Sequence, residues 1–76
     1  MRTEAEIIIE ARKKMGLTQQ QVADKAKIGL RHYQMFECGE RKLSSSNFWT
    51  TCNVLDVLEL DVAAFAHGAY AVKPNN

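Results

Sequence analysis

The sequence predicts an all-α fold, a compact bundle of five short helices. Three observations lead there. Two capping boxes, Thr3 with Glu6 and Thr18 with Gln21, mark helix starts, and each precedes apolar residues at helical spacing. Glycines at Gly16 and Gly39 stand where two of the apolar stripes end, and glycine takes the left-handed conformation of a helix stop without the Cβ clash that other residues meet. No stretch reads as a strand, because none alternates apolar and polar residues as a half-buried strand does.

The first helix starts at Thr3, carries Ile7, Ile8, Ala11 and Met15 on one stripe and ends at Gly16. The second starts at Thr18 and turns Val22, Ala23 and Ala26 inward. A third follows almost at once, from about Gly29 through Glu37 to a stop at Gly39. At about 100° per residue, Tyr33 and Phe36 fall on one side of it and Arg31, Gln34, Met35 and Cys38 on the other. The aromatic side is the expected core; a stacking platform for single strands is the alternative. The fourth helix is expected to start at one of Ser44 to Ser46 and to carry Phe48, Cys52, Leu55 and Leu58 inward. Trp49 is either core or a dimer contact. Asp61 caps a short fifth helix holding Val62 and Phe65 and closed by Gly68, where His67 complements the carbonyl dipole. Residues 1–68 are therefore expected to form one domain and residues 69–76 a short C-terminal tail, frayed or in a dimer contact.

Composition narrows the function. A chain of 76 residues, 46% of them hydrophobic, can build one compact core but not a core and a large ligand cavity, which argues against a sensor domain. A formal charge of +1 is far from that of a nonspecific nucleic-acid coat protein. The charge is uneven, however. Arg12-Lys13-Lys14, Lys25, Lys27, Arg31 and Arg41-Lys42 make the middle basic, while Glu4, Glu6, Glu10, Asp56, Glu59 and Asp61 lie towards the ends. Cys38 and Cys52 lack paired metal-site spacing, so no metal and no cofactor are expected, and they read as a surface thiol and a small core residue in a reduced, cytoplasmic setting. No apolar run approaches the roughly 20 residues that cross a bilayer, so no membrane partner is expected. Ser44 to Ser46 have no glycine elbow and no placed histidine and acid, which argues against an enzyme.

Two short helices joined by a tight turn make a helix-turn-helix, whose second helix enters the major groove of DNA. Arg31, near the start of that helix, can pair with guanine O6 and N7, and Gln34 can pair with adenine. The stretch from Gln19 to Glu37 followed by Gly39, with Arg12 upstream and Leu55 to Phe65 downstream, resembles the phage Cro and repressor family of DNA-binding domains. The resemblance implies a five-helix domain that binds a double-stranded operator, commonly as a dimer on two half-sites. It also implies that Arg12 and Glu37 pair to lock the first helix to the end of the third, and that Gln19 holds a phosphate. By the same resemblance Leu30, Arg31 and Met35 face bases, while His32 and Lys42 hold the backbone.

The sequence departs from the family pattern at three places. Lys27 stands in the turn where glycine is usual, Gly29 replaces a Ser or Thr cap, and Leu30 and Met35 replace polar base readers, leaving contact with a thymine methyl. Gln19, Lys27, His32, Arg41 and Lys42 are thus expected at phosphates, with Leu30, Arg31, Gln34 and Met35 towards the bases. Val62, Phe65, Tyr70 and Val72 exceed what a short terminal helix needs to bury and are expected in a homodimer contact. The expected function is a small transcriptional regulator, a repressor, of a phage, mobile-element, restriction or toxin–antitoxin operon. The alternative is a protein-interaction module or antitoxin that keeps the fold and binds a protein partner, which the near-neutral charge and the apolar Leu30 and Met35 favour.

Overall fold

The computed structural model describes residues 3–70, with side chains through residue 68. It contains α1 (Glu4–Lys14), α2 (Gln19–Ala26), α3 (Leu30–Cys38), a 3-10 turn (Leu43–Ser45), α4 (Phe48–Val57) and α5 (Val62–Tyr70), with no strand among the described residues. None of these helices is long and apolar enough to cross a membrane.

Both capping boxes close in both directions. Thr3 Oγ1 accepts from the Glu6 amide at 3.1 Å and the Thr3 amide donates to Glu6 Oε1 at 2.9 Å. The Thr18 and Gln21 pair repeats this at 3.0 and 2.8 Å. These bonds satisfy amides that a helix start leaves without partners. α1 stops at Met15, followed by Gly16 at φ +73°; Met15 itself is exposed rather than on the inward stripe. Its position one residue beyond the last turn carries it past the end of the apolar face.

The turn between α2 and α3 is tight because Lys27 takes the left-handed conformation, φ 60° and ψ 43°, while the Ile28 amide donates to the Ala23 carbonyl at 3.0 Å. A side chain with a Cβ is strained there by about 1 kcal/mol. Lys27→Gly is therefore expected to stabilise the domain slightly, by up to about 0.5 kcal/mol, the strain relieved less the roughly 0.5–1 kcal/mol of chain entropy that glycine adds. Thermal melting of the variant checks this, and a lower melting temperature would contradict it.

The core consists of Ile7, Ile8, Val22, Ala23, Ala26, Tyr33, Phe36, Leu43, Val54, Leu55, Leu58 and Phe65. α3 packs on α1 and α2, α2 on α4, and α1 on α5. Tyr33 and Phe36 are the aromatic centre of this core, which fixes the rotation of α3 about its axis and turns the opposite face outward.

Three elements near the C-terminal half differ from the sequence expectation. α4 starts later, with Asn47 as its cap, Oδ1 accepting from the Thr50 amide at 2.8 Å. Its inward face carries Thr50, Val54, Leu55 and Leu58. Phe48, two residues before Thr50 and so about 200° away around the helix, is 80% exposed. Ser44 does not start the helix; its amide and hydroxyl donate to the two carboxylate oxygens of buried Glu4, at 3.2 and 2.5 Å, and tie the 3-10 turn to the first turn of α1. Trp49 is 58% exposed, so it is not core.

Asp61 Oδ2 accepts from the amides of Ala63 and Ala64 at 3.1 and 3.2 Å and so caps α5. Gly68 does not end that helix, which runs on to Tyr70. A Cβ on Gly68 would stand 3.1 Å from Ile7 Cδ1, so α5 passes close to α1 at this glycine. Phe65 is only 4% exposed and belongs to the core, which removes it from the expected dimer contact. Val62 is exposed; the Tyr70 side chain and Val72 lie outside the described residues.

Candidate nucleic-acid interface

With Tyr33 and Phe36 buried, α3 turns Arg31, Gln34 and Cys38 to solvent, and Leu30 and Met35 are half-buried at the borders of that face. Arg31, His32, Met35 and Arg41 line one shallow depression, so the cation after the helix stop stands beside the outward face of α3. Arg41 and Lys42 continue along the segment shared with Glu40, Ser45 and Ser46. The His32 ring rests against Phe36, with centroids 5.0 Å apart and planes tilted by 38°. Lys27 is exposed in the turn, at the edge of the α2–α3 unit.

Glu40, which the sequence reading passed over, borders a second hollow with Arg31, Gln34, Met35 and Cys38, and accepts from Cys38 Sγ at 3.6 Å. Its signal was its place directly between the helix stop Gly39 and the basic pair Arg41-Lys42. An acid there sets a negative charge beside Arg31 on that face.

Behind this surface lies a polar cluster centred on Glu37. Oε2 accepts from Arg12 Nε at 2.7 Å and from the Tyr33 hydroxyl at 2.5 Å; Oε1 accepts from Arg12 Nη2 at 3.3 Å and from Gln19 Nε2 at 2.8 Å. Arg12 further donates from Nη1 to the Leu17 carbonyl at 2.9 Å. α1, α2 and α3 thus meet at one carboxylate. Its side chain is 6% exposed and that of Arg12 14%. Outward, Gln34 Nε2 donates to Gln19 Oε1 at 3.1 Å, so Gln19, expected at a phosphate, joins the cluster to the outer face.

Burial alone would raise the Glu37 carboxyl, but hydrogen bonds from Arg12, Tyr33 and Gln19 outweigh it and hold the group below its ordinary value. Burial, and then the hydrogen bond to Glu37, push the Tyr33 hydroxyl well above its ordinary range. A depressed carboxyl gives stability that is present above its unfolded pKa, about 4.3 for a glutamate, and lost as acid protonates it in the fold. A raised phenol acts in the opposite sense. Its contribution is intact below about pH 10 and is lost above that, where the unfolded chain gives up a proton that the fold retains. Tyr33→Phe should therefore be less stable than the parent at pH 7, with a gap that narrows above about pH 10. Denaturant melts across that range check it; a constant gap would contradict it.

The sequence model of the Helix-turn-helix family matches residues 8–62, which takes in α2, the turn, α3 and α4 with most of α1. The chain belongs to this family, in its Cro/repressor type. It is accordingly a DNA-binding transcription regulator, and its ligand is double-stranded DNA. The family is regulatory rather than typically enzymatic. No curated protein and no solved structure matched the chain.

Proposed function

We propose that the protein is a repressor that binds its operator as a homodimer, with α3 in the major groove. The observation that carries this reading is the rotation of α3: a fully buried Tyr33 and Phe36 leave Arg31 and Gln34 together on the outward face. Arg31 donates to guanine O6 and N7, Gln34 pairs with adenine, and Leu30 and Met35 meet thymine methyls. Gln19, Lys27, His32, Arg41 and Lys42 hold phosphates on either side and set the register without reading sequence. A compact domain seated on an operator excludes other proteins from the same groove, which is repression by occupancy; a phage, mobile-element, restriction or toxin–antitoxin operon suits a regulator of this size.

One helix reads only a few base pairs, so two copies on half-sites about 34 Å apart supply the remaining specificity. Exposed Val62 and Trp49 are apolar surface available to the pairing, and the apolar Tyr70 and Val72 of the C-terminal segment are proposed to join it. Phe48 beside Trp49 favours a second reading, in which that aromatic pair takes a protein partner instead.

Sedimentation with an inverted-repeat duplex tests the proposal, alongside titrations at several salt concentrations. Two chains per duplex are expected, and Lys42→Ala should lower the salt slope by about 0.9 per bound subunit while weakening all sequences alike. One chain per duplex, or a variant that changes sequence preference, would contradict these assignments.

A further inference from the structure

In the hollow that Arg31, Gln34, Met35 and Cys38 line on the outward face of α3, the fifth residue is Glu40. Gly39 ends the helix in the left-handed conformation, at φ 86°, and the side chain that follows it returns to this face. The carboxylate is not tied down there. Among the described residues no ion pair joins it to Arg31, Arg41 or Lys42. The Cys38 thiol, a weak donor, stands 3.6 Å from Glu40 Oε1 and 3.5 Å from the Met35 carbonyl oxygen, so its single S–H is divided between two acceptors. An ionised carboxylate only accepts, and its oxygens are open to a stronger donor.

The major groove offers that donor selectively. A carboxylate set there lies among phosphates of its own sign and loses water, so a base that brings no donor leaves it unpaired and is penalised. Guanine presents the acceptors O6 and N7, and thymine the acceptor O4 beside a methyl group. Adenine offers N6–H but sets the acceptor N7 next to it. Cytosine offers N4–H and no acceptor on its groove edge. Its partner is guanine, whose O6 and N7 suit the fork of Arg31, so one G·C pair can satisfy both charges that share the hollow. We infer that Glu40 is a specificity-determining residue that accepts from N4 of a cytosine, in the pair whose guanine Arg31 takes or in the pair next to it. The inference rests on the reading of α3 as the base-facing helix, and adds to it an acidic reader just beyond the helix stop.

The test uses the full chain and the duplex it selects from a random pool. Each cytosine of a half-site is replaced in turn by N4-methylcytosine, which still pairs with guanine but carries a methyl group in place of the N–H that faces the groove. Glu40 is exposed, and melting first establishes that Glu40→Ala is as stable as the parent. For the parent, methylation of one cytosine is expected to weaken binding by roughly fivefold to a hundredfold. Glu40→Ala should be indifferent to methylation at that cytosine, lose its preference for cytosine there, and bind scrambled duplexes no more weakly than the parent. If no methylated cytosine weakens the parent, or if Glu40→Ala keeps the parent's response at every cytosine, Glu40 acts on phosphates through its charge alone and the inference fails. Base reading by α3 then still stands where Arg31→Ala relaxes the guanine position. If Arg31→Ala and Glu40→Ala both leave every base preference intact, the reading of α3 by Arg31 fails, and the inference with it.

Discussion

Glu37→Ala is expected to destabilise the domain by up to about 3–5 kcal/mol, the loss found when one member of a fully buried ion pair is removed. The size follows from the surroundings of the carboxylate. Glu37 and Arg12 side chains are 6% and 14% exposed, and their bond at 2.7 Å is backed by Tyr33 and Gln19. Alanine would leave a guanidinium without its partner beside the core and a buried phenol hydroxyl without its acceptor. A 76-residue domain holds only roughly 4–11 kcal/mol in total. Such a loss therefore takes away much of it and shows as a melting temperature lower by tens of degrees. Arg12→Ala should be similarly harmful, and the double variant less harmful than the sum, because both remove one unit. An unchanged melting temperature for Glu37→Ala would contradict the role of the carboxylate as the joint of α1, α2 and α3.

Arg31→Ala is expected to lose roughly 1–3 kcal/mol of binding to the preferred duplex and to relax preference at a single base position. Arg31 is exposed in the first turn of α3, and its fork of donors suits guanine O6 and N7. Its fold should be unaffected, since the side chain takes no part in the core. Titration against selected and scrambled duplexes separates base reading from charge. Equal losses on both would make Arg31 a phosphate contact, and no loss on either would place it outside the interface.

Most of the fold was legible because its signals are local. Thr3 with Glu6 and Thr18 with Gln21 cap within three residues, and Tyr33 and Phe36 share a face by helix periodicity alone. The start of α4 is not set by local sequence alone. Ser44 has the chemistry of a cap, but Glu4, forty residues away in sequence, takes its amide and hydroxyl, and Asn47 caps instead. Phe48 lies outward because the buried face of α4 runs through Thr50, Val54, Leu55 and Leu58, with Thr50 about 200° around the helix from it. Phe65 was assigned to a dimer contact on the length of the terminal apolar set, whereas the close approach that Gly68 allows between α5 and α1 accompanies its burial in the core.

The site divides in the same way. The outward face of α3 followed from periodicity, whereas the pairing of Arg12 with Glu37 came from the family resemblance, because no spacing rule joins residues twenty-five apart. Gln19 and Gln34, fifteen apart, each had a reason to be singled out, but the bond between them depends on how α2 and α3 cross. Glu40 was passed over because an acid beside two cations reads as ordinary surface charge.

Selection of bound duplexes from a random pool, followed by titration of the selected and scrambled sequences at physiological salt, tests most directly the proposal that α3 reads base edges in duplex DNA. An enriched inverted repeat with half-sites one helical turn apart, bound about a thousandfold or more tighter than the scrambled duplex, is the predicted result. No enrichment, or equal affinity for both duplexes, would contradict it.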